Sequence, residues 1–193
     1  MDAPIKIVKN FISDAECASL MEYIDMLEES MGDRFVKWQD GKRIALQFGK
    51  DLYHSGTSYE TLEIMGSDRE MLQDYFSKVV DATKNVFDDS AELHMSSFWV
   101  AKQYPESIVD SHEDTDNGYN THFRYSGVLY LNTMDEGGEL QFEKYEYAHV
   151  PEAGDLVLFP SQGTGNHKVT GIVQKRYSLV FWLTDVKEMA LVG

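Results

Sequence analysis

A succession of short β-type runs fills the second half of the sequence and constrains the fold more than any other feature. From residue 90 onward these runs are rich in Val, Leu, Tyr and Phe, and Gly, Pro, Asn and Asp separate them. The runs are LHMSSFWVAKQY, FRYSGVLYLN, GELQFEKY, DLVLFP, HKVTGIV and RYSLVFWLT. Short strands at this spacing, with no helical period between them, predict a β-sandwich or barrel rather than a parallel sheet.

Two amphipathic helices are predicted before these strands. Ser13 and Glu16 fit a capping box, and apolar residues at helical spacing then indicate a helix over residues 14–30. A second capping box at Ser67–Glu70 opens another helix, which is expected to end near residue 88. We therefore expect an α+β, β-rich chain whose helices pack outside a β-core.

The chain of 193 residues is expected to form one domain, with helices and a lid in residues 1–90 and the β-core in residues 91–185. No apolar run reaches the ~18 residues that a bilayer span needs, and no secretory signal is visible. Cys17 is the only cysteine, which predicts a reducing compartment, the cytoplasm. The formal charge of −16 disfavours a nucleic-acid partner, because phosphate contacts need Lys and Arg.

The acidic stretch SIVDSHEDTDNG, residues 107–118, places one histidine among four carboxylates. No register of it meets the EF-hand pattern. A solvated acidic turn and half of a transition-metal site both remain open. In an extended segment His112 and Asp114 lie on the same side, while Glu113 points away. Two ligands do not hold a transition metal, so a third must come from elsewhere in the fold.

Among the other histidines, His167 is distinguished by Arg176, which follows nine positions later at the start of the last strand. Alternation places Ser178, Val180 and Trp182 on the same face of that strand as Arg176. A guanidinium beside apolar groups is typical of a pocket that binds a carboxylate, although a solvent-facing strand end is equally open. His94 is expected to be packed or at an edge, and three histidines are expected at the surface: His54, His122 and His149.

Tyr130 is a candidate second donor to that carboxylate. On the strand FRYSGVLYLN, alternation groups it with Arg124, Ser126, Val128 and Asn132. A core tyrosine with a satisfied hydroxyl is the alternative.

Together these motifs resemble the iron(II)- and 2-oxoglutarate-dependent dioxygenases, and among them the prolyl 4-hydroxylase group. Members of this family carry His-x-Asp, a distant His, and an Arg or Lys nine or ten residues later, on a double-stranded β-helix (jelly roll). The corresponding residues here are His112, Asp114, His167 and Arg176. YLN (130–132), GGELQF (137–142) and GDLVLFP (154–160) follow the family's order between them. Gly171 departs from the pattern, because a Pro is common at that position.

The resemblance implies an enzyme that uses iron(II), 2-oxoglutarate and O2, with ascorbate as a reductant. It implies metal ligands at His112, Asp114 and His167, and oxoglutarate contacts at Arg176, Tyr130 and Tyr104. The remaining carboxylates, Asp110, Glu113 and Asp116, would form a solvated surround. The implied reaction is hydroxylation of a prolyl residue in a peptide or protein.

Other functions remain open beside prolyl hydroxylation. The same cofactors could act on a non-prolyl side chain, a free amino acid or a small metabolite. A catalytically silent jelly-roll binding module would be expected to lack a ligand or the arginine. Nucleobase demethylation is disfavoured by the charge of −16. The oligomeric state is left open.

Residues 34–55, between the two predicted helices, are expected to form a mobile cover over the iron side of the barrel. An ordinary edge hairpin of the β-core is the alternative. Within this segment Trp38 and Arg43 are candidates for contact with a prolyl substrate, together with Trp182 on the last strand.

Overall fold

The computed structural model describes residues 3–31, 36–39, 42–50, 69–115 and 120–191. The α-helices in these ranges are α1 (Asp14–Met31) and α2 (Arg69–Phe87). The strands are, in chain order, β1 (Lys6–Val8), β2 (Val36–Gln39), β3 (Lys42–Lys50), β4 (His94–Gln103), β5 (Val109–His112), β6 (Phe123–Tyr130), β7 (Leu140–Phe142), β8 (Tyr147–His149), β9 (Leu156–Pro160), β10 (His167–Val169) and β11 (Arg176–Thr184). Short 3-10 helices span Glu143–Tyr145 and Lys187–Met189.

The first helix begins with the capping box that the sequence predicts. The backbone N–H of Ser13 donates to the Glu16 carboxylate at 2.8 Å, and the N–H of Glu16 donates to the Ser13 hydroxyl at 3.3 Å. These reciprocal bonds satisfy backbone donors that have no partner within the helix. The second helix ends at Phe87, close to the predicted position, and Ser67 lies outside the described residues.

The strands form two antiparallel sheets that face each other. The larger sheet has the order β1-β9-β6-β11-β4-β3-β2, and the smaller has the order β5-β10-β7-β8. An apolar cluster fills the space between them, with Val128 and Phe159 from the larger sheet and Leu140 and Phe142 from the smaller. This is the jelly-roll core that the sequence predicts.

Both helices pack on the outer face of the larger sheet, which confirms the predicted placement of the helices. A second apolar cluster joins α1, through Leu20 and Ile24, and α2, through Leu72, to Phe98 and Leu179 of the sheet. The two clusters use alternate residues of the shared strands, as expected where successive side chains point to opposite faces. The inward face of each central strand is therefore free to line a site between the sheets.

Lys102 of β4 connects the sheet to α1 by polar contacts. Its side chain is buried, and its ammonium group donates to Asp25 at 2.7 Å and to Glu28 at 2.6 Å. The hydroxyl of Tyr177 also donates to Asp25, at 2.9 Å. A buried ammonium group is tolerated only with such partners, so this cluster fixes the helix on the sheet.

The segment predicted as a lid or an edge hairpin contributes two paired strands at the edge of the larger sheet. β2 pairs antiparallel with β3, and β3 pairs with β4 through registers such as Phe48 with Val100. The other residues of 34–55, and the side chains of Trp38 and Arg43, lie outside what the structure describes. Neither described helix has an apolar stretch long enough to cross a bilayer.

Candidate active site

His112, Asp114 and His167 lie close together at one end of the smaller sheet, where the end of β5 is paired with the start of β10. His112 ends β5, Asp114 lies in the turn that follows, and His167 begins β10 directly opposite His112. The Nε2 atoms of the two histidines are each 3.8 Å from Oδ1 of Asp114. Candidate ligand atoms of all three residues lie within 4.8 Å of one another, so the three residues could hold one metal ion.

The hydrogen bonding of His112 and the burial of His167 also suit a divalent cation. Nδ1 of His112 lies 2.7 Å from the backbone oxygen of Asp110, and donation from Nδ1–H leaves the Nε2 lone pair free. Burial lowers the pKa of His167, against the opposing effect of Asp114, so that a neutral imidazole is favoured. Two ligand atoms ~2.1 Å from one ion lie between about 3.0 and 4.2 Å apart, and the distances to Asp114 fall within that interval.

A cavity of about 100 Å³ extends from this triad into the space between the sheets. Its walls are mostly apolar and come from both sheets. The apolar lining consists of Trp99, Ala101, Val109, Val128, Leu140, Phe159, Val169, Val180 and Trp182. Such walls keep water away from a reacting centre.

Arg176 lies at the other end of this cavity and is only 3 % exposed. Its Nη1 donates to the side-chain oxygen of Gln103 and, at 3.4 Å, to the Ser178 hydroxyl. Among the described residues no carboxylate forms an ion pair with Arg176, and its Nε has no hydrogen-bond partner. A buried guanidinium without an anion is costly, so this end of the cavity is suited to a carboxylate ligand.

Tyr130 lies beside the arginine, as the alternation of β6 predicts. The guanidinium carbon of Arg176 is 4.9 Å from the centre of the Tyr130 ring. The Tyr130 hydroxyl is fully buried, and no described residue offers it a well-aligned hydrogen bond. Burial raises the pKa of Tyr130, which keeps the hydroxyl protonated as a donor. A buried phenol beside a guanidinium that has no anionic partner fits a shared carboxylate ligand better than a satisfied core tyrosine.

The structure does not place Tyr104 in this cavity. Phe98 and Val100 of β4 pack toward the helices and Lys102 contacts α1, and Tyr104 continues this alternate set. Its hydroxyl donates to Glu28 of α1. The assignment of Tyr104 was implied by the family resemblance alone. The residue that reaches Arg176 from β4 is Gln103, which sequence reasoning missed although it alternates with Trp99 and Ala101.

Glu113, predicted to point away from the two ligands, lines a second cavity next to the metal triad. His149 differs from its prediction. His149 is not at the surface: it is 4 % exposed, and its ring lies 5.4 Å from that of Tyr130. Its Nε2 is 3.4 Å from the Asp155 carboxylate. The pairing of β8 with β7 buries His149, and nothing in the local sequence pattern signals that pairing.

Comparisons with known proteins found one family model and several solved structures of similar fold. The family model of the 2OG-Fe(II) oxygenase superfamily matches residues 98–184. No curated protein sequence matches the chain. A prolyl-4-hydroxylase from Pseudomonas putida is structurally similar, with a TM-score of 0.60, 21% identity, and coverage of 94% of this chain and 92% of that one.

Two further solved structures share the fold. A prolyl hydroxylase from Trichoplax adhaerens, in complex with a hypoxia inducible factor peptide fragment, has a TM-score of 0.62 and 19% identity over 99% of this chain and 88% of its own. A 2OG-Fe(II) oxygenase family oxidoreductase from Burkholderia pseudomallei has a TM-score of 0.62 and 16% identity, with coverage of 96% of this chain and 86% of that one.

Proposed function

We propose that this protein, whose residues 98–184 match the 2OG-Fe(II) oxygenase superfamily, is an iron(II)- and 2-oxoglutarate-dependent dioxygenase that hydroxylates a prolyl residue in a peptide or protein. One observation carries the proposal. A single cavity joins a His-Asp-His triad at one end to a buried guanidinium at the other, and no described residue forms an ion pair with that guanidinium.

The triad would hold iron(II) through two imidazoles and one carboxylate. This ligand set leaves coordination positions open on the metal and is typical of non-haem iron oxygenases. Bound iron would supply the oxidative chemistry, in which O2 converts 2-oxoglutarate to succinate and carbon dioxide while a substrate C–H bond is hydroxylated. Ascorbate would serve as an external reductant.

The protein groups at the far end would orient the oxo acid. The planar fork of Arg176 suits a carboxylate, and the Tyr130 hydroxyl can donate a further hydrogen bond to it. Ser178 and Gln103 already contact Nη1 of the arginine and hold its plane. The apolar walls between the two ends would exclude water from the reacting carbon.

The prolyl part of the proposal is supported by the solved structures that share the fold and by the aromatic groups beside the triad. Two of those structures are named as prolyl hydroxylases, and one of them is bound to a peptide fragment. Trp182 lines both the cavity and the space beside the triad, and it would contact the prolyl ring. Trp38 and Arg43 remain candidates for substrate contact.

A coupled assay tests both parts of the proposal. Purified protein is incubated with iron(II), 2-oxoglutarate, ascorbate and O2, with and without proline-containing peptides, and succinate and peptide masses are measured. We expect succinate release that increases with peptide, and a gain of one oxygen atom on proline. Succinate release with oxygen found only on another residue, or on a free amino acid, would leave the oxygenase assignment intact and refute prolyl specificity. No succinate under any condition would refute the oxygenase assignment itself.

A further inference from the structure

A second cavity, of about 200 Å³, opens beside the metal triad on the side away from Arg176. It shares Trp99, Trp182 and two of the metal ligands with the first cavity. Its full lining consists of Ser97, Trp99, His112, Glu113, Asp114, Asn120, Phe123 and Trp182. Because it borders His112 and Asp114, a group bound there lies next to the reacting centre.

Three aromatic rings form the walls of this second cavity. The rings of Trp99 and Trp182 meet edge to face with centroids 5.3 Å apart, and Phe123 stacks on Trp182 at 5.6 Å. Trp182 is 9 % exposed, and its indole N–H has no hydrogen-bond partner among the described residues. A buried donor without a partner requires an acceptor, which a backbone carbonyl of a bound peptide can supply.

Glu113 adds a negative charge to the lining of the second cavity, besides that of the candidate ligand Asp114. Glu113 is half-buried and lines the cavity, and no described residue forms an ion pair or hydrogen bond with its carboxylate. No Lys or Arg is among the described residues that line the cavity. Arg124, next to Phe123 in the chain, is held by Asp89 and Asp185, each at 2.7 Å.

We propose that Glu113 and the three aromatic rings form a subsite for a positively charged side chain of the substrate, so that the enzyme selects a prolyl residue flanked by a basic residue. This inference rests on the proposed function and specifies its substrate class. Aromatic faces attract ammonium and guanidinium groups, and an unpaired carboxylate adds to that attraction. An acidic flanking residue would meet Glu113 and the bound oxo acid and would be repelled.

Equilibrium binding of matched peptides tests the subsite without relying on turnover. The probes are two acetylated, amidated series, Gly-Ala-Pro-X-Gly and Gly-X-Pro-Ala-Gly, with X as Lys, Gln or Glu. They are titrated into protein loaded with iron(II) and 2-oxoglutarate in the absence of O2. In at least one series we expect the Lys peptide to bind roughly five- to twentyfold more tightly than the Gln peptide, and the Glu peptide to bind most weakly.

Substitutions at the carboxylate should change this preference in a defined way. Glu113→Gln is expected to bring the ratio of Lys to Gln affinity close to one, and Glu113→Lys to invert it in favour of the Glu peptide. Comparing peptides on one variant cancels any loss of bound iron, which is measured in parallel. Glu136→Gln removes the same charge from an exposed loop position and should retain the wild-type ratio.

Three outcomes would overturn the inference. They are equal affinities for Lys and Gln peptides in both series, a preference that survives Glu113→Gln, and no measurable binding of any Lys peptide. Succinate release by the same preparation separates this failure from failure of the proposed function. Normal 2-oxoglutarate turnover with no charge preference would leave the oxygenase assignment standing and remove only the cationic subsite.

Discussion

His167 lies directly opposite His112 on two antiparallel strands, and the centroids of their rings are 4.4 Å apart. The pairing of β5 with β10 therefore brings two distant parts of the sequence to one point. The turn that follows β5 brings the Asp114 carboxylate within 3.8 Å of Nε2 of both histidines. The proposed metal site thus depends on strand register, since a shift of one residue would turn either histidine to the opposite face.

The first prediction concerns these three ligands. His112→Ala, Asp114→Ala and His167→Ala are each expected to abolish succinate release and stoichiometric iron binding while the fold is retained, because each removes one of three metal ligands. Iron content and circular dichroism of the purified variants are the measurements. His94→Ala, at the start of β4, is the control and should bind iron normally. Near-normal succinate release by Asp114→Ala would exclude Asp114 from the ligand set.

The second prediction concerns Gln103, an uncharged residue whose side-chain oxygen accepts a hydrogen bond from Arg176. Gln103→Glu places a carboxylate beside the guanidinium and satisfies its requirement for an anion. We expect the Michaelis constant for 2-oxoglutarate to rise by roughly tenfold or more, and by less in Gln103→Met, which adds no charge. If both variants raised it equally, the effect would be one of packing rather than of competition for the arginine.

The third prediction uses the acid sensitivity of Asp89, which closes the end of α2. Its carboxylate accepts hydrogen bonds from the backbone N–H of Ala91 at 2.9 Å and from the side chains of Arg124 and Tyr125, both at 2.7 Å. These donors, the Ala91 N–H first, lower the pKa of Asp89 from its ordinary value of 3.8 to about 2. The folded state therefore favours the charged carboxylate.

A group with a lowered pKa stabilises the fold above its unfolded pKa, and that stabilisation is lost as the pH falls through the folded pKa. We expect the contribution of Asp89 to be complete above about pH 4 and to disappear toward pH 2. Asp89→Asn should lower the free energy of unfolding at pH 7 by about 1–3 kcal/mol and should flatten its decline between pH 4 and 2. The free energy of unfolding is measured by urea titration at several pH values. If its decline between pH 4 and 2 were the same in Asp89→Asn as in the wild type, the assignment would be contradicted.

The fourth prediction concerns the hairpin of β2 and β3. β3 is paired on both sides, with β2 and with β4, whereas β2 has a partner on one side only in the described sheet. We expect slow amide exchange in β3 in all states, and protection of β2 that increases when peptide binds to the iron–oxoglutarate form. Exchange in β2 that peptide does not change would make the hairpin a structural edge with no covering role.

Much of the site could be predicted because strand alternation is a local property. The inward face of β11 carries Arg176, Ser178 and Trp182 as the pattern of RYSLVFWLT predicts. The capping box of α1 was equally visible, since both partners lie within four residues. These features need no knowledge of which elements meet in three dimensions.

The features that could not be predicted depend on packing between elements. Whether Gln103 or Tyr104 faces the cavity is decided by which face of β4 the helices cover. His149 becomes buried only through the pairing of the short strand β8 with β7. Glu113 lines a cavity because Phe123 and Trp182, from the larger sheet, enclose the turn that holds it. Sequence pattern alone carries no information on these contacts.

The central claim is that one cavity binds the oxo acid through iron at one end and through Arg176, assisted by Tyr130, at the other. Calorimetric titration of oxygen-free, iron(II)-loaded protein with 2-oxoglutarate and with 2-oxobutyrate, which lacks the far carboxylate, tests this claim most directly. Wild-type protein should bind 2-oxoglutarate roughly 30- to several-thousand-fold more tightly than it binds 2-oxobutyrate. Tyr130→Phe should reduce this ratio slightly, Arg176→Ala should bring it close to one, and the exposed control Lys175→Ala should leave it unchanged. A ratio that Arg176→Ala does not change, or binding that does not require iron, would contradict the account.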